Sequence, residues 1–147
     1  LQELRAALRR KEMTVEEIYY QKDQFLTELN LLFQATHKRV DFDKENALIF
    51  HKNGKILTPY QLSSGEKQVL IILLTVVLQE DKPCILLMDE PELSLHLPWQ
   101  FQLVEMIHRL NENAQIIIAT HAPGIFSKGW RDKITKMETI ISNGSQN

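Results

Sequence analysis

A single cysteine, Cys84, stands among 147 residues. No disulfide can therefore form within the chain, and a reducing compartment suits it. Neither charge is in excess: 17 Lys and Arg against 19 Asp and Glu leave a formal charge of −2. That balance offers no electrostatic case for nucleic acid, and it leaves a local basic patch open. Long hydrophobic runs are missing too. The longest, VLIILLTVVL (69–78), is ten residues, where a membrane helix needs about 20; it reads as a helix buried on nearly all sides. No signal-peptide pattern opens the chain. The expectation is a cytoplasmic globular protein of one domain, without a membrane partner. Glycine is scarce, at 54, 65, 124, 129 and 144, and none is followed by Lys-Ser or Lys-Thr. A G-x-x-x-x-G-K-[ST] loop, which cradles phosphates on backbone N–H groups, is thereby excluded from these residues. Leu1 falls inside a helical pattern with no initiator methionine, so the chain reads as a piece of something longer.

What is present begins with helix. Leu1, Leu4 and Leu8 share one face, and Thr14 with Glu17 has the spacing of a capping-box start. Ile18, Phe25, Leu29 and Leu32 then recur at helical spacing up to about residue 38. Two helical stretches forming an arm or lid, or a helix packed on the common core, both fit. From Val40 the pattern changes. ALIFHKNGKIL (47–57) is a pair of β-like runs around Asn53-Gly54, a hairpin signal. The apolar helix follows, to about Glu80, and DKP (81–83) breaks it. CILLM (84–88) has the continuous apolar character of a central strand covered on both faces. Pro98 can open the next helix, with Trp99, Leu103, Ile107 and Leu110 along its inner face, and QIIIAT (115–120) is a second central strand. Helix, strand, helix, strand in this order predicts an α/β layer with parallel strands. SNGSQN (142–147) reads as a polar, disordered tail.

The residues with chemistry cluster at three places. LSSGEKQ (62–68) precedes the apolar helix. Ser63 and Glu66 have capping-box spacing, while free N–H groups at a helix start, beside a residue without a side chain, can seat a phosphate. Both readings fit the stretch. The two central strands end in polar residues at their C-terminal tips, DEPE (89–92) and Thr120-His121, and that edge of an open α/β sheet is where ligands bind. Asp89 sits where a strand-end carboxylate can hold Mg²⁺ through its waters. Glu90 faces the other side of the strand and can polarise a water. His121 supplies a donor for a transferring phosphate.

In this order the stretches closely resemble the ABC-type ATPases, the P-loop family that includes transporter motors and chromosome-maintenance proteins. LSSGE resembles the signature motif, CILLMDE the Walker B strand with its catalytic glutamate, SLH (94–96) the D-loop, and His121 the switch histidine of the H-loop. Gly65 and Asp89 are 24 positions apart, and Asp89 and His121 are 32 apart. The resemblance covers roughly residues 47–130. It implies a three-layer P-loop NTPase fold of ABC ATPase type, of which residues 39–147 are the C-terminal part and 1–38 an N-terminal helical arm or lid. It implies ATP and Mg²⁺, and a homodimer closed head-to-tail on an ATP sandwich. Ser63, Ser64, Gly65 and Glu66 of one subunit would meet the γ-phosphate held by the other. Asp89 would help hold Mg²⁺, Glu90 orient the attacking water, and His121 steady the γ-phosphate. Ser94, Leu95 and His96 would couple the two sites.

Departures narrow the group. Ser64 stands where transport motors carry glycine and His96 where they carry aspartate, and Glu66-Lys67 is as in chromosome-maintenance and DNA-repair ATPases. DEPELSLH…WQ with THAP downstream most resembles the soluble OLD-like ATPases of bacterial antiviral defence, the group of the Septu and retron-associated PtuA subunits. There a dimeric ATPase commonly gates a nuclease or other effector. The family places its phosphate loop upstream of the signature, so these residues are expected to be the C-terminal half of a longer ATPase, and to be inactive alone. A nucleotide-sensing scaffold with little hydrolysis and a DNA-repair type ATPase are the alternatives. DNA or RNA binding is left open.

Overall fold

The computed structural model describes residues 2–126 and 129–144, the side chains of 141–144 excepted. Its first element is one helix, α1 (Gln2–Phe33), rather than two. Thr14 therefore caps nothing. It lies in mid-helix, where its hydroxyl donates to the Arg10 carbonyl at 2.9 Å, the back-bond open to any helical threonine. On a single helix the two apolar series fall into one register: Leu4, Leu8, Val15, Ile18, Phe25, Leu29 and Leu32 lie on one heptad stripe, with Lys11 and Lys22 at its other two positions. Phe25, Leu29 and Leu32 are buried in the core, whereas Leu4, Leu8 and Ile18 are 62%, 51% and 57% exposed. Leu1 lies outside the described residues.

A three-stranded antiparallel sheet follows, β1 (Lys38–Phe42), β2 (Leu48–Lys52) and β3 (Lys55–Leu57), in that order. The hairpin forms where Asn53-Gly54 demands it: both residues are left-handed, at φ 50° and 74°, the conformation a two-residue hairpin turn requires. Charged residues around Val40 hide β1 in the sequence, yet Val40 faces Phe50 across the ladder and both are buried.

The apolar helix is α2 (Ser64–Val77), shorter than expected because the chain turns at Glu80 and Asp81, both left-handed. Strand β4 (Cys84–Asp89), helix α3 (Leu97–Leu110) and strand β5 (Ala114–Ala119) complete the parallel pair, in register from Cys84↔Ala114 to Asp89↔Ala119. One expectation changes. Leu86, Met88, Ile116 and Ile118 pack against the core, but Ile85, Leu87 and Ile117 on the opposite face are exposed. Alternate strand residues face opposite sides, and among the described residues only one side carries the core. Helix α4 (Met137–Gly144) takes in Ser142, Asn143 and Gly144, which were expected in a tail; 145–147 lie outside the described residues.

The core joins the two sheets through the helices. Phe33 at the end of α1 stacks on Trp99 of α3 and tilts against Phe50 of β2, with centroids 6.4 and 6.3 Å apart. Trp99, Leu103, Ile107 and Leu110 form the inner face of α3, as their spacing predicts. Glu28 takes Arg109 in a two-pronged ion pair at 2.6 and 2.8 Å, tying α1 to α3. That carboxylate holds the guanidinium above its ordinary value against the effect of burial. Among the described residues no helix is long and apolar enough to cross a membrane.

Candidate active site

The start of α2 is capped as LSSGE predicts. Ser63 has extended backbone, its Oγ accepts from the Glu66 N–H at 3.3 Å, and Glu66 Oε2 accepts from the Ser63 N–H at 2.7 Å. Such a box satisfies two of the donors that a helix start leaves free. Ser63 and Ser64 are exposed, while Gly65 and Glu66 are buried. Glu66 is the surprise. Its side chain is 1% exposed and points inward, where Lys38 Nζ donates to both its oxygens at 2.8 and 2.6 Å and the Thr36 hydroxyl donates at 2.7 Å. Burial pushes this carboxyl up, but the Lys38 ammonium, the Ser63 N–H and the Thr36 hydroxyl together hold it below its ordinary value. Glu66 thus shapes the loop from behind, and the face open to a ligand is Ser63-Ser64.

Gly65 is required by packing. A Cβ placed there would overlap the Ser94 carbonyl oxygen and press on its carbonyl carbon. The start of α2 and the turn after β4 therefore lie backbone to backbone, a contact only glycine permits. Gly65→Ala is expected to lower stability by about 1–3 kcal/mol in spite of alanine's better helix propensity, because the clash is with backbone rather than a mobile side chain. An unchanged midpoint in denaturant would mean that the 94–95 turn gives way without cost.

The strand tips lie side by side. Beyond the last paired residue of β4 the Glu90 N–H still donates to Ala119 O at 2.8 Å, and the chain then turns at Glu90, which has φ 44°. A non-glycine residue held left-handed stores on the order of 1–3 kcal/mol and is the kind of local cost seen at functional positions. The turn brings the Glu90 carboxylate to His121: Oε2 lies 3.4 Å from its backbone N and Oε1 3.5 Å from its Nε2. The His121 side chain is 97% exposed. Asp89 is exposed at the tip of β4. Among the described residues none of Asp89, Glu90 and Glu92 pairs with a lysine or arginine. Among the described residues no group of three or more His, Cys, Asp or Glu is gathered as a metal cage. That donor set suits Mg²⁺, which is commonly held by one or two carboxylates together with waters and phosphate oxygens.

Behind the tips, Glu92 is 5% exposed and accepts the Thr120 hydroxyl on Oε1. Thr120 Oγ1 in turn accepts from the Ala122 N–H at 2.9 Å. Ser94 and His96 are exposed, and Leu95 is buried. The His96 ring stands edge-on to Trp99 with centroids 5.6 Å apart, and its carbonyl accepts from the Trp99 N–H as the first bond of α3. The fold thus brings Gly65 to Ser94-Leu95 and Glu90 to His121, while no hydrogen bond or ion pair among the described residues joins Ser63-Ser64 to the strand tips. Lys38, Thr36 and the role of Glu92 escape a reading by spacing; the one signal is a second glutamate in DEPE with no cation beside it.

Comparison with known proteins completes the picture. The family model described as "AAA domain, putative AbiEii toxin, Type IV TA system" matches residues 9–127. The chain is similar to the Retron Ec83 probable ATPase of Escherichia coli, 33% identical over an 89-residue alignment that covers 53% of this chain and 16% of that protein. It is also similar to the peptide transport system ATP-binding protein SapD of Salmonella typhimurium, 34% identical over 86 residues, 57% of this chain and 25% of that one. The Septu protein PtuA of Bacillus thuringiensis is 31% identical over 97 residues, 57% of this chain and 24% of its own length. The chain thus spans a quarter or less of these relatives.

Proposed function

Since the chain belongs to this AAA-domain family, we propose that it is the part of an ABC-type ATPase that carries the catalytic strand tips and the surface that completes a second nucleotide site. The observation that carries this reading is the juxtaposition of Asp89-Glu90 with Thr120-His121, with the Glu90 carboxylate 3.4–3.5 Å from two His121 nitrogens. Phosphoryl transfer to water needs little covalent help; it needs a positioned water and a donor where charge develops. Glu90 accepts a hydrogen bond from the water and orients it, and His121 Nε2–H donates toward a γ-phosphate oxygen. Asp89 would hold Mg²⁺, which neutralises charge on the phosphates when bound. A phosphate loop, absent from these residues, comes in this reading from elsewhere in the full-length polypeptide.

Ser63-Ser64, exposed on a capped helix start, would close on the γ-phosphate of a second subunit. The protein would then work as a homodimer with an ATP sandwich, and Ser94 to His96, the first of which lies against Gly65, would relay closure between the two sites. The likeness to a retron ATPase and to Septu PtuA supports a role in bacterial antiviral defence, with a nuclease or other effector as partner and α1 as a helical arm. The likeness to SapD favours a transport motor as the second reading, against which stands His96 in place of the D-loop aspartate. Phosphate release by the full-length protein, together with sedimentation with and without ATP, tests the proposal. Turnover with ATP-dependent dimers is expected. Dimers without turnover would make the protein a nucleotide sensor, and co-purification of a permease would make it a motor.

A further inference from the structure

His121 is nearly free in solution as a side chain, so its position must be set through its backbone. Its own contacts to Glu90 are long, at 3.4 and 3.5 Å. The residues on either side of it are held by one hydroxyl: Thr120 Oγ1 donates to Glu92 Oε1 and accepts from the Ala122 N–H. Glu92 is in turn anchored in its turn by the Leu95 N–H, which donates to its carbonyl at 2.8 Å. A carboxylate is an expensive choice for this task. It is almost fully buried, and its other oxygen, Oε2, is buried without a hydrogen-bond partner among the described residues, a state that costs free energy and that calls for a reason beyond packing. What the side chain supplies is an acceptor oxygen, placed at the reach of the Thr120 hydroxyl.

We propose that Glu92 is a positioning residue for His121: through Thr120 it clamps the turn after β5 to the turn after β4, so that His121 is presented at the distance from Glu90 that the reaction needs. The functional half of this inference rests on the ATPase reading above; the clamp itself does not. Because Ser94 abuts Gly65 and follows Glu92 by two residues, the same turn connects the start of α2 to His121.

The test uses the full-length protein and four variants: Glu92→Leu, Glu92→Gln, Thr120→Val and the double Glu92→Leu/Thr120→Val. Amide hydrogen exchange reads the clamp without reference to activity. Exchange at Ala122 is expected to speed by about tenfold or more in Glu92→Leu and Thr120→Val, and to stay close to wild type in Glu92→Gln, which keeps an oxygen for the Thr120 hydroxyl. Unchanged exchange in Glu92→Leu overturns the clamp, whatever the enzyme does. ATP turnover reads its purpose: kcat is expected to fall about tenfold or more in Glu92→Leu and in Thr120→Val with KM near wild type, the double variant no worse than either single, and Glu92→Gln largely restored. Full turnover in Glu92→Leu, or losses that multiply in the double variant, overturns the positioning role while leaving the ATPase reading in place. Absence of turnover in wild type would overturn that reading instead, and the exchange result would still decide the clamp.

Discussion

Glu90→Gln in the full-length protein is expected to lower ATP turnover about 10²- to 10⁴-fold, the usual contribution of a positioned general base, while leaving ATP-dependent association intact. The substitution is close to isosteric, so the left-handed turn at φ 44° and the backbone bond from residue 90 to Ala119 O are kept. An amide oxygen can still accept from the His121 N–H. What is lost is the charge that orients the water and draws its proton. The Michaelis constant should change little, because in this reading residue 90 meets the water rather than the nucleotide. Initial rates of phosphate release, with sedimentation of the same samples in ATP, check both halves. Undiminished turnover would remove Glu90 from the mechanism, and loss of ATP-induced dimers would make it a binding residue.

Lys38→Met should cost about 3–5 kcal/mol of stability near neutral pH, since it leaves the buried Glu66 carboxylate without its cation. The side chains of Lys38 and Glu66 are 9% and 1% exposed, so solvent cannot take the place of the lost partner. The sign of the pH dependence follows from the lowered carboxyl. A carboxyl held below its ordinary value contributes stability that is complete above that ordinary value, 4.5, and is lost as pH falls through the lower folded value. In Lys38→Met burial acts with less opposition, so Glu66 takes up its proton at higher pH. The gap between wild type and variant should therefore be widest near neutral pH and close as pH falls below 4.5. Urea denaturation at several pH values measures it. Adding Glu66→Gln to Lys38→Met should recover part of the loss, because an amide oxygen still accepts the Ser63 N–H without a buried charge. A pH-independent gap, or one under about 1 kcal/mol, would show that the pair holds little.

Much of this arrangement was legible from local pattern. The hairpin follows from Asn53-Gly54, whose left-handed preference is a property of two adjacent residues. The cap of α2 follows from Ser63 and Glu66, three positions apart on one turn. The α3 face follows from Trp99, Leu103, Ile107 and Leu110 on a 3.6-residue period. The tips follow from apolar runs ending in Asp89-Glu90 and Thr120-His121. Thr14 misled because a hydroxyl three residues before a glutamate has the same spacing whether it begins a helix or lies within one; the i−4 bond to Arg10 is equally local and equally available. Strand β1 was hidden because Lys38, Arg39 and Asp41 are charged, and only pairing with β2 makes Val40 a core residue.

The residue types, their order and their short-range spacing determined by themselves the hairpin at Asn53-Gly54, the capped start of α2, the inner face of α3, the two apolar strands, and that acidic and imidazole groups stand at the ends of those strands. These are decided within a turn or a strand, by backbone sterics, caps and periodic burial. Only the tertiary structure decided that Glu66 faces Lys38 rather than a ligand, that Gly65 is glycine because of the Ser94 carbonyl, and that Glu92 holds Thr120. Each of those joins residues 28 or 29 positions apart. No local preference encodes such a contact; it exists because packing around one core leaves a buried charge or a close backbone approach with a single way to be satisfied.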